Sequence, residues 1–205
     1  MGTFEKYTFA KSITLGTVQF GLPYGIVNDQ GQVLPNEARN IIYAAVSGGV
    51  KYIDCAAAYG NSEAIVGSTI DKLNSYDVNI ISKLEPFSNS VLASFDEERL
   101  RDQVRTSVLR SLSRLKVSSL QCLMLHRAQN LHNKIIISEL MILQQAGKFK
   151  ELGVSVQSVD ELISAIQDLS ITVIQMPINI LDYRWEAVAR LISERKKIKP
   201  LTVHG

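Results

Sequence analysis

Short apolar runs alternate with longer amphipathic stretches along the whole chain, and this alternation limits the fold more than any other feature. Seven runs read as strands: Ser12 to Leu15, Val50 to Asp54, Val78 to Lys83, Leu120 to His126, Glu151 to Ser155, Thr172 to Met176 and Leu201 to His204. The stretches between them carry helical periodicity and end signals. Pro35 suits a first helical turn, Ala38, Ile41, Ile42 and Ala45 share one face, and Gly48-Gly49 suits the stop. Ser94-Phe95-Asp96-Glu97 has the capping-box spacing before a long helix whose Leu100, Val104, Val108, Leu112 and Leu115 recur every three or four residues. Arg101, Arg105 and Arg114 fall elsewhere on that helix and read as a solvated face. Further helices are expected over Lys134 to Gln145, Ser158 to Leu169 and Trp185 to Lys197. Strand and helix in strict alternation predict an α/β fold with a parallel sheet, and chemistry at the carboxyl ends of its strands points to a (β/α)8 TIM barrel.

The 205 residues, 46% hydrophobic and 20% charged, supply one core, and a single domain over residues 1–205 is expected. An eight-stranded barrel takes about 250 residues. The seventh run lies at the last residues of the sequence, so either the eighth βα unit is missing or the fold is an open sheet that needs fewer strands; the favoured expectation is a barrel truncated after about strand 7. Its unpaired strand edges favour self-association. The formal charge of +2 gives no field to draw nucleic acid or an anionic membrane. Met1 to Lys11 holds no apolar run of signal-peptide type, and no stretch reaches the roughly 18 apolar residues of a membrane span. Cys55 and Cys122 form no metal-ligand or CxxC spacing, which fits small buried side chains in a reducing, cytoplasmic setting.

Four groups able to move or steer a proton stand at successive strand ends: Asp54, Tyr59 five residues beyond it, Lys83 and His126. Delivering hydride to a carbonyl requires a proton for the forming alkoxide, and a tyrosine supplies it when its pKa of about 10 is moved toward the working pH. Lys83 is the cation suited to that shift, Asp54 the carboxylate that holds it, and a neutral His126 can hydrogen-bond the substrate oxygen. Taken singly, each has a structural reading: a strand-end lysine reaching solvent, a loop tyrosine packing its ring, a turn-forming aspartate, a satisfied histidine. Their joint order and local context favour the catalytic one. His132 and His204 have no ligand-like spacing, and no metal motif is present. Nor is there a GxGxxG or P-loop, so a nucleotide here would not sit on a Rossmann unit. Phe20, Tyr24 and Trp185 read either as walls of a substrate pocket or as packing.

In these residues the chain resembles the aldo-keto reductase superfamily. Asp54, Tyr59, Lys83 and His126 match its Asp, Tyr, Lys and His tetrad in order and context. The flanking segments agree: Leu15-Gly16-Thr17, Gly48-Gly49-Val50-Lys51-Tyr52-Ile53-Asp54, Tyr59-Gly60-Asn61-Ser62-Glu63, Glu151-Leu152-Gly153-Val154-Ser155 and Gln175. The resemblance covers about residues 12 to 204 and implies NAD(P)H-dependent reduction of a small aldehyde or ketone, with NADPH as cofactor or NADH in its place. It also implies that Ser155 and Gln175 hold the nicotinamide carboxamide, with Gly16, Thr17 and Asp54 near its ribose and the catalytic floor. The chain departs from the family at Val156, where an asparagine is common, and in ending before the segments that grip the cofactor phosphates. Weak cofactor binding by these 205 residues is therefore expected. The competing readings are a non-catalytic binding or regulatory protein on the same scaffold, and a Schiff-base aldolase using Lys83, which leaves Tyr59 and Asp54 unexplained.

Overall fold

The structure, a computed structural model, describes residues 13–73, 77–179, 181–199 and 201–204. Ser12, expected to open the first strand, and the segment before it lie outside the described residues.

Among the described residues seven strands are ordered as they occur in the chain: β1 (Thr14–Gly16), β2 (Tyr52–Asp54), β3 (Asn79–Lys83), β4 (Leu120–Leu125), β5 (Phe149–Ser155), β6 (Val173–Gln175) and β7 (Thr202–His204). Parallel strands cannot be joined by tight hairpins, and helices fill the crossovers: α1 (Val18–Gly21), α2 (Pro35–Ser47), α3 (Ser62–Ile70), α4 (Asn89–Ser94), α5 (Glu97–Leu115), α6 (Lys134–Gln145), α7 (Val159–Gln167) and α8 (Ala189–Ile198). This is the βα succession of a (β/α)8 barrel through seven strands. Among the described residues no helix is long and apolar enough to cross a membrane.

The chain divides into two compact units. The first comprises the described part of Met1–Lys83 together with Ser107–Gln121. In it β1 pairs with β2 and β2 with β3, placing Gly16 opposite Asp54 and Asp54 opposite Ile81. Helix α2 buries Ala38, Ile42 and Val46 and starts at Pro35 as the sequence indicates. Its stop is also as expected: Gly48 caps the helix and Gly49 takes φ 98°, which side-chain-bearing residues rarely adopt.

The second unit comprises Leu84–Thr106 and Cys122–Gly205. Here β5, β6 and β7 pair in parallel, with Ser155 opposite Gln175 and Gln175 opposite His204. Leu123, Met124, Leu125, Val154 and Ile174 are core residues of its strands. Asn133 caps α6 by accepting from the amides of Ile135 and Ile136 at 3.0 and 3.1 Å. Ser158 caps α7, where Glu161 in turn accepts from the Gln157 amide at 2.7 Å.

Two readings on the long helix are corrected. Ser94 does not open the long helix; it ends the short α4, and Asp96 is the cap, its carboxylate accepting from the Arg99 amide at 2.8 Å. An aspartate two residues downstream reaches the third helical N–H better placed than the serine hydroxyl. The arginines of α5 are not simply a solvated face. Arg105 donates from Nε and a terminal nitrogen to Glu139 Oε1 at 3.1 and 2.9 Å, and Arg101 lies 3.7 Å from Glu139 Oε2. Glu139 is only 1% exposed, so half-exposed arginines neutralise a buried carboxylate that would otherwise be costly. Arg114 does the same for buried Glu63, at 3.8 Å.

Candidate active site

The first unit brings three of the four proton-handling residues together. Asp54 ends β2 and Lys83 ends β3, and both strands continue their hydrogen bonding past these ends, with the Cys55 amide donating to Ile81 O at 2.9 Å and the Ala57 amide to Lys83 O at 3.1 Å. The adjacent strand ends therefore fix the two side chains at short range. Lys83 Nζ donates to both Asp54 oxygens, at 2.6 and 2.7 Å, and to Cys55 O at 3.2 Å. Lys83 is 1% exposed and Asp54 7%. That geometry rejects the reading of Lys83 as a strand-end lysine reaching solvent. A buried ammonium needs a partner charge, and here the carboxylate satisfies it with two charge-assisted bonds.

Tyr59 stands on the loop after β2, half-buried, and Lys83 Nζ is 5.0 Å from its ring centroid. Burial pushes the Tyr59 phenol above its ordinary pKa; Lys83 pulls it down, and the Asp54 charge pushes it up. The expected influence of Lys83 is present, but desolvation exceeds it in the protein alone. At neutral pH Tyr59 therefore keeps its proton and has one to give. The loop is held by backbone contact with α1: a Cβ placed on Gly21 would sit 1.7 Å from Tyr59 O, and the Ser62 amide donates to that same carbonyl at 3.0 Å.

Thr17, expected near the cofactor, is fully buried, and its hydroxyl is engaged inside the protein. It donates to Asp54 O at 2.9 Å and lies 2.6 Å from Ser62 Oγ. Gly16 is exposed beside Asp54 in the register, and no atom lies within 4 Å of where a Cβ would stand. Backbone there is open to a ligand. Phe20 and Trp185 are core residues at 3% and 7% exposure, so of the three aromatic wall candidates only Tyr24, at 59%, faces solvent.

The second unit carries His126, Ser155 and Gln175. His126 directly follows β4 and is half-buried. Ser155 and Gln175 end neighbouring strands in register and are both half-buried, so they present polar side chains at one strand-end surface. Val156, which stands where the family commonly has asparagine, is fully buried, and its amide donates to Gln175 O at 2.8 Å. Sequence reasoning named Ser62 and Glu63 only as part of a motif. Their tertiary partners, Thr17 and Ser82, are 45 and 19 residues away, and no periodicity reports such contacts.

Comparison with known proteins gives the family and the fold. Residues 12–199 match the model of the aldo/keto reductase family. An aldo-keto reductase assigned in Pseudomonas aeruginosa is 23% identical, with a TM-score of 0.72 over 94% of this chain and 71% of that one. A Klebsiella pneumoniae aldo/keto reductase, solved in complex with NADP and acetate, is 18% identical, with a TM-score of 0.69 over 94% of this chain and 62% of its own. The glycerol dehydrogenase of Gluconobacter oxydans is 25% identical, with a TM-score of 0.66 over 93% of this chain and 57% of its own. The curated proteins contain no match. With nearly its whole length matched, the chain belongs to the aldo/keto reductase family, a family of NAD(P)H-dependent oxidoreductases acting on carbonyl compounds.

Proposed function

We propose that the protein reduces a small aldehyde or ketone to the alcohol, with Tyr59 as proton donor. The observation that carries this reading is the buried Lys83 ammonium, clasped by Asp54 and set 5.0 Å from the ring of a tyrosine that keeps its proton. As the carbonyl oxygen gains charge, Tyr59 Oη gives it the proton, and Lys83 stabilises the phenolate left behind. Asp54 keeps Lys83 charged and aimed. His126 donates a hydrogen bond that orients the carbonyl.

NADPH, or NADH in its place, supplies the hydride when bound. The half-buried Ser155 and Gln175, paired in register, fit an amide such as the nicotinamide carboxamide, and the open backbone at Gly16 fits close approach of a ribose. Thr17 serves that floor by holding the Asp54 carbonyl. On this reading residues 1–205 act as one domain, and the buried free thiols of Cys55 and Cys122 suit a reducing cytoplasm.

The test is NADPH oxidation by the gene product across a panel of aldehydes and ketones, with and without Tyr59→Phe. Loss of most turnover in the variant supports the assignment; undiminished turnover rejects it. NADPH binding with no turnover of any carbonyl would favour the non-catalytic scaffold.

A further inference from the structure

The first turn of α3 contains a buried carboxylate that the proposed chemistry does not use. Glu63 is 1% exposed, accepts a hydrogen bond from Ser82 Oγ at 2.7 Å and has Arg114 3.8 Å from its second oxygen. Ser82, itself fully buried, is the residue before Lys83 on β3. The neighbouring Ser62 lies 2.6 Å from Thr17, whose hydroxyl donates to Asp54 O. Two consecutive residues of one helical turn thus grip β3 beside Lys83 and, through Thr17, β2 at Asp54. That same turn takes its start from the Tyr59 loop, since the Ser62 amide donates to Tyr59 O at 3.0 Å.

We propose that Glu63 is a positioning residue: with Ser62 it ties the loop bearing Tyr59 to the strand ends bearing Asp54 and Lys83, and so sets the separation of phenol and ammonium. A buried carboxylate is costly to retain for packing alone, because an apolar side chain of similar volume fills the same space without a desolvation penalty. Held by Ser82 at one oxygen, with the Arg114 charge 3.8 Å from the other, it acts as a strut between helix and strand. Its link to turnover rests on the reading of Tyr59 as proton donor; its effect on geometry does not.

Charged and titratable groups that act on Tyr59 in this unit include Lys83 on β3, Asp54 on β2 and Tyr24 on the loop after α1. Lys83 is the only one of these that lowers the phenol's titration, so loosening the strut weakens that pull. The experiment is phenolate difference absorbance of the full chain, without cofactor, measured against Tyr59→Phe to isolate this one tyrosine. Glu63→Ala and Ser82→Ala are expected to move the Tyr59 titration to higher pH, and Glu63→Gln, which still accepts from Ser82, to return it toward the parent protein. On a Lys83→Met background the same substitutions are expected to add no shift. Ser82→Ala removes one hydroxyl without stranding a large cavity and decides the matter if Glu63→Ala does not fold. An unmoved Tyr59 titration in folded Ser82→Ala, or an equal shift without Lys83, would overturn the proposal.

In turnover, kcat is expected to fall roughly tenfold to a hundredfold in Ser82→Ala with KM little changed, as for misplacement of a reacting group. Full turnover in Tyr59→Phe would remove the proton-donor reading while leaving the titration result in place, so the two failures are distinguishable.

Discussion

Gly21 and Tyr59 meet backbone to backbone. A Cβ on Gly21 would lie 1.7 Å from Tyr59 O and 2.9 Å from the Ser62 amide nitrogen, and Gly60, at φ 53°, would in turn direct a Cβ to 2.4 Å from Gly21 O. Neither partner is the flexible end of a side chain, so neither can yield locally. The pair of glycines lets α1 press directly on the Tyr59 loop. Gly21→Ala is therefore expected to destabilise the protein by about 1–3 kcal/mol, as overpacking does, and to displace Tyr59 from Lys83. Chemical denaturation measures the first effect; a stability equal to the parent's would show that the contact is loose.

The Asp54–Lys83 pair is expected to be strongly coupled. Asp54→Asn leaves a buried ammonium without its counter-charge and is expected to cost about 3–5 kcal/mol. Combining it with Lys83→Met should cost less than the sum of the two single changes, since the second removes the stranded charge. A urea double-mutant cycle at neutral pH reads the coupling, and additive losses would contradict it.

Stability is expected to fall at alkaline pH. Burial, the first cause, pushes the Cys55 thiol from 9.0 up to about 12, with the Asp54 and Glu63 charges adding to it and the Thr17 hydroxyl and Lys83 opposing. Above pH 9 the unfolded chain releases this proton while the folded chain keeps it. The folded state then binds more protons, and stability declines as pH rises from about 9 toward 12. Tyr59, also raised, contributes with the same sign. Denaturation midpoints across that range should fall less steeply in Cys55→Ala; an identical slope would exclude the thiol as a source.

On the helical side, Arg105 supports a buried charge and should matter more than an exposed ion pair. Arg105→Ala takes two donors from Glu139 and is expected to cost about 1–3 kcal/mol, whereas Asp77→Ala, at the exposed Lys51–Asp77 pair, is expected to change stability by less than about 1 kcal/mol. Equal effects in thermal or chemical denaturation would return the α5 arginines to the solvated face that periodicity alone suggests.

Much of the positional information is local and was legible. The α2 limits follow from Pro35 and Gly48-Gly49, and α6 spans the residues its periodicity marks, because caps and apolar spacing act within a few residues. The cap of α5 is Asp96 rather than Ser94: both residue types cap helices, and only the geometry of the Arg99 amide separates them. The region expected as helix from Trp185 begins instead as a 3-10 turn over Tyr183–Val188, with Asp182 accepting from the Arg184 amide.

The sequence by itself determined the alternation of strand and helix, and with it the placing of Asp54, Lys83 and His126 at strand ends, because periodicity and end signals are written into neighbouring residues. Only the tertiary structure decided that Lys83 is sealed from water against Asp54, that the Thr17 hydroxyl is buried on the Asp54 carbonyl, and that burial outweighs the cation at Tyr59. Those outcomes depend on distance and local dielectric between residues far apart in the chain, which pairing of strands and packing of helices create.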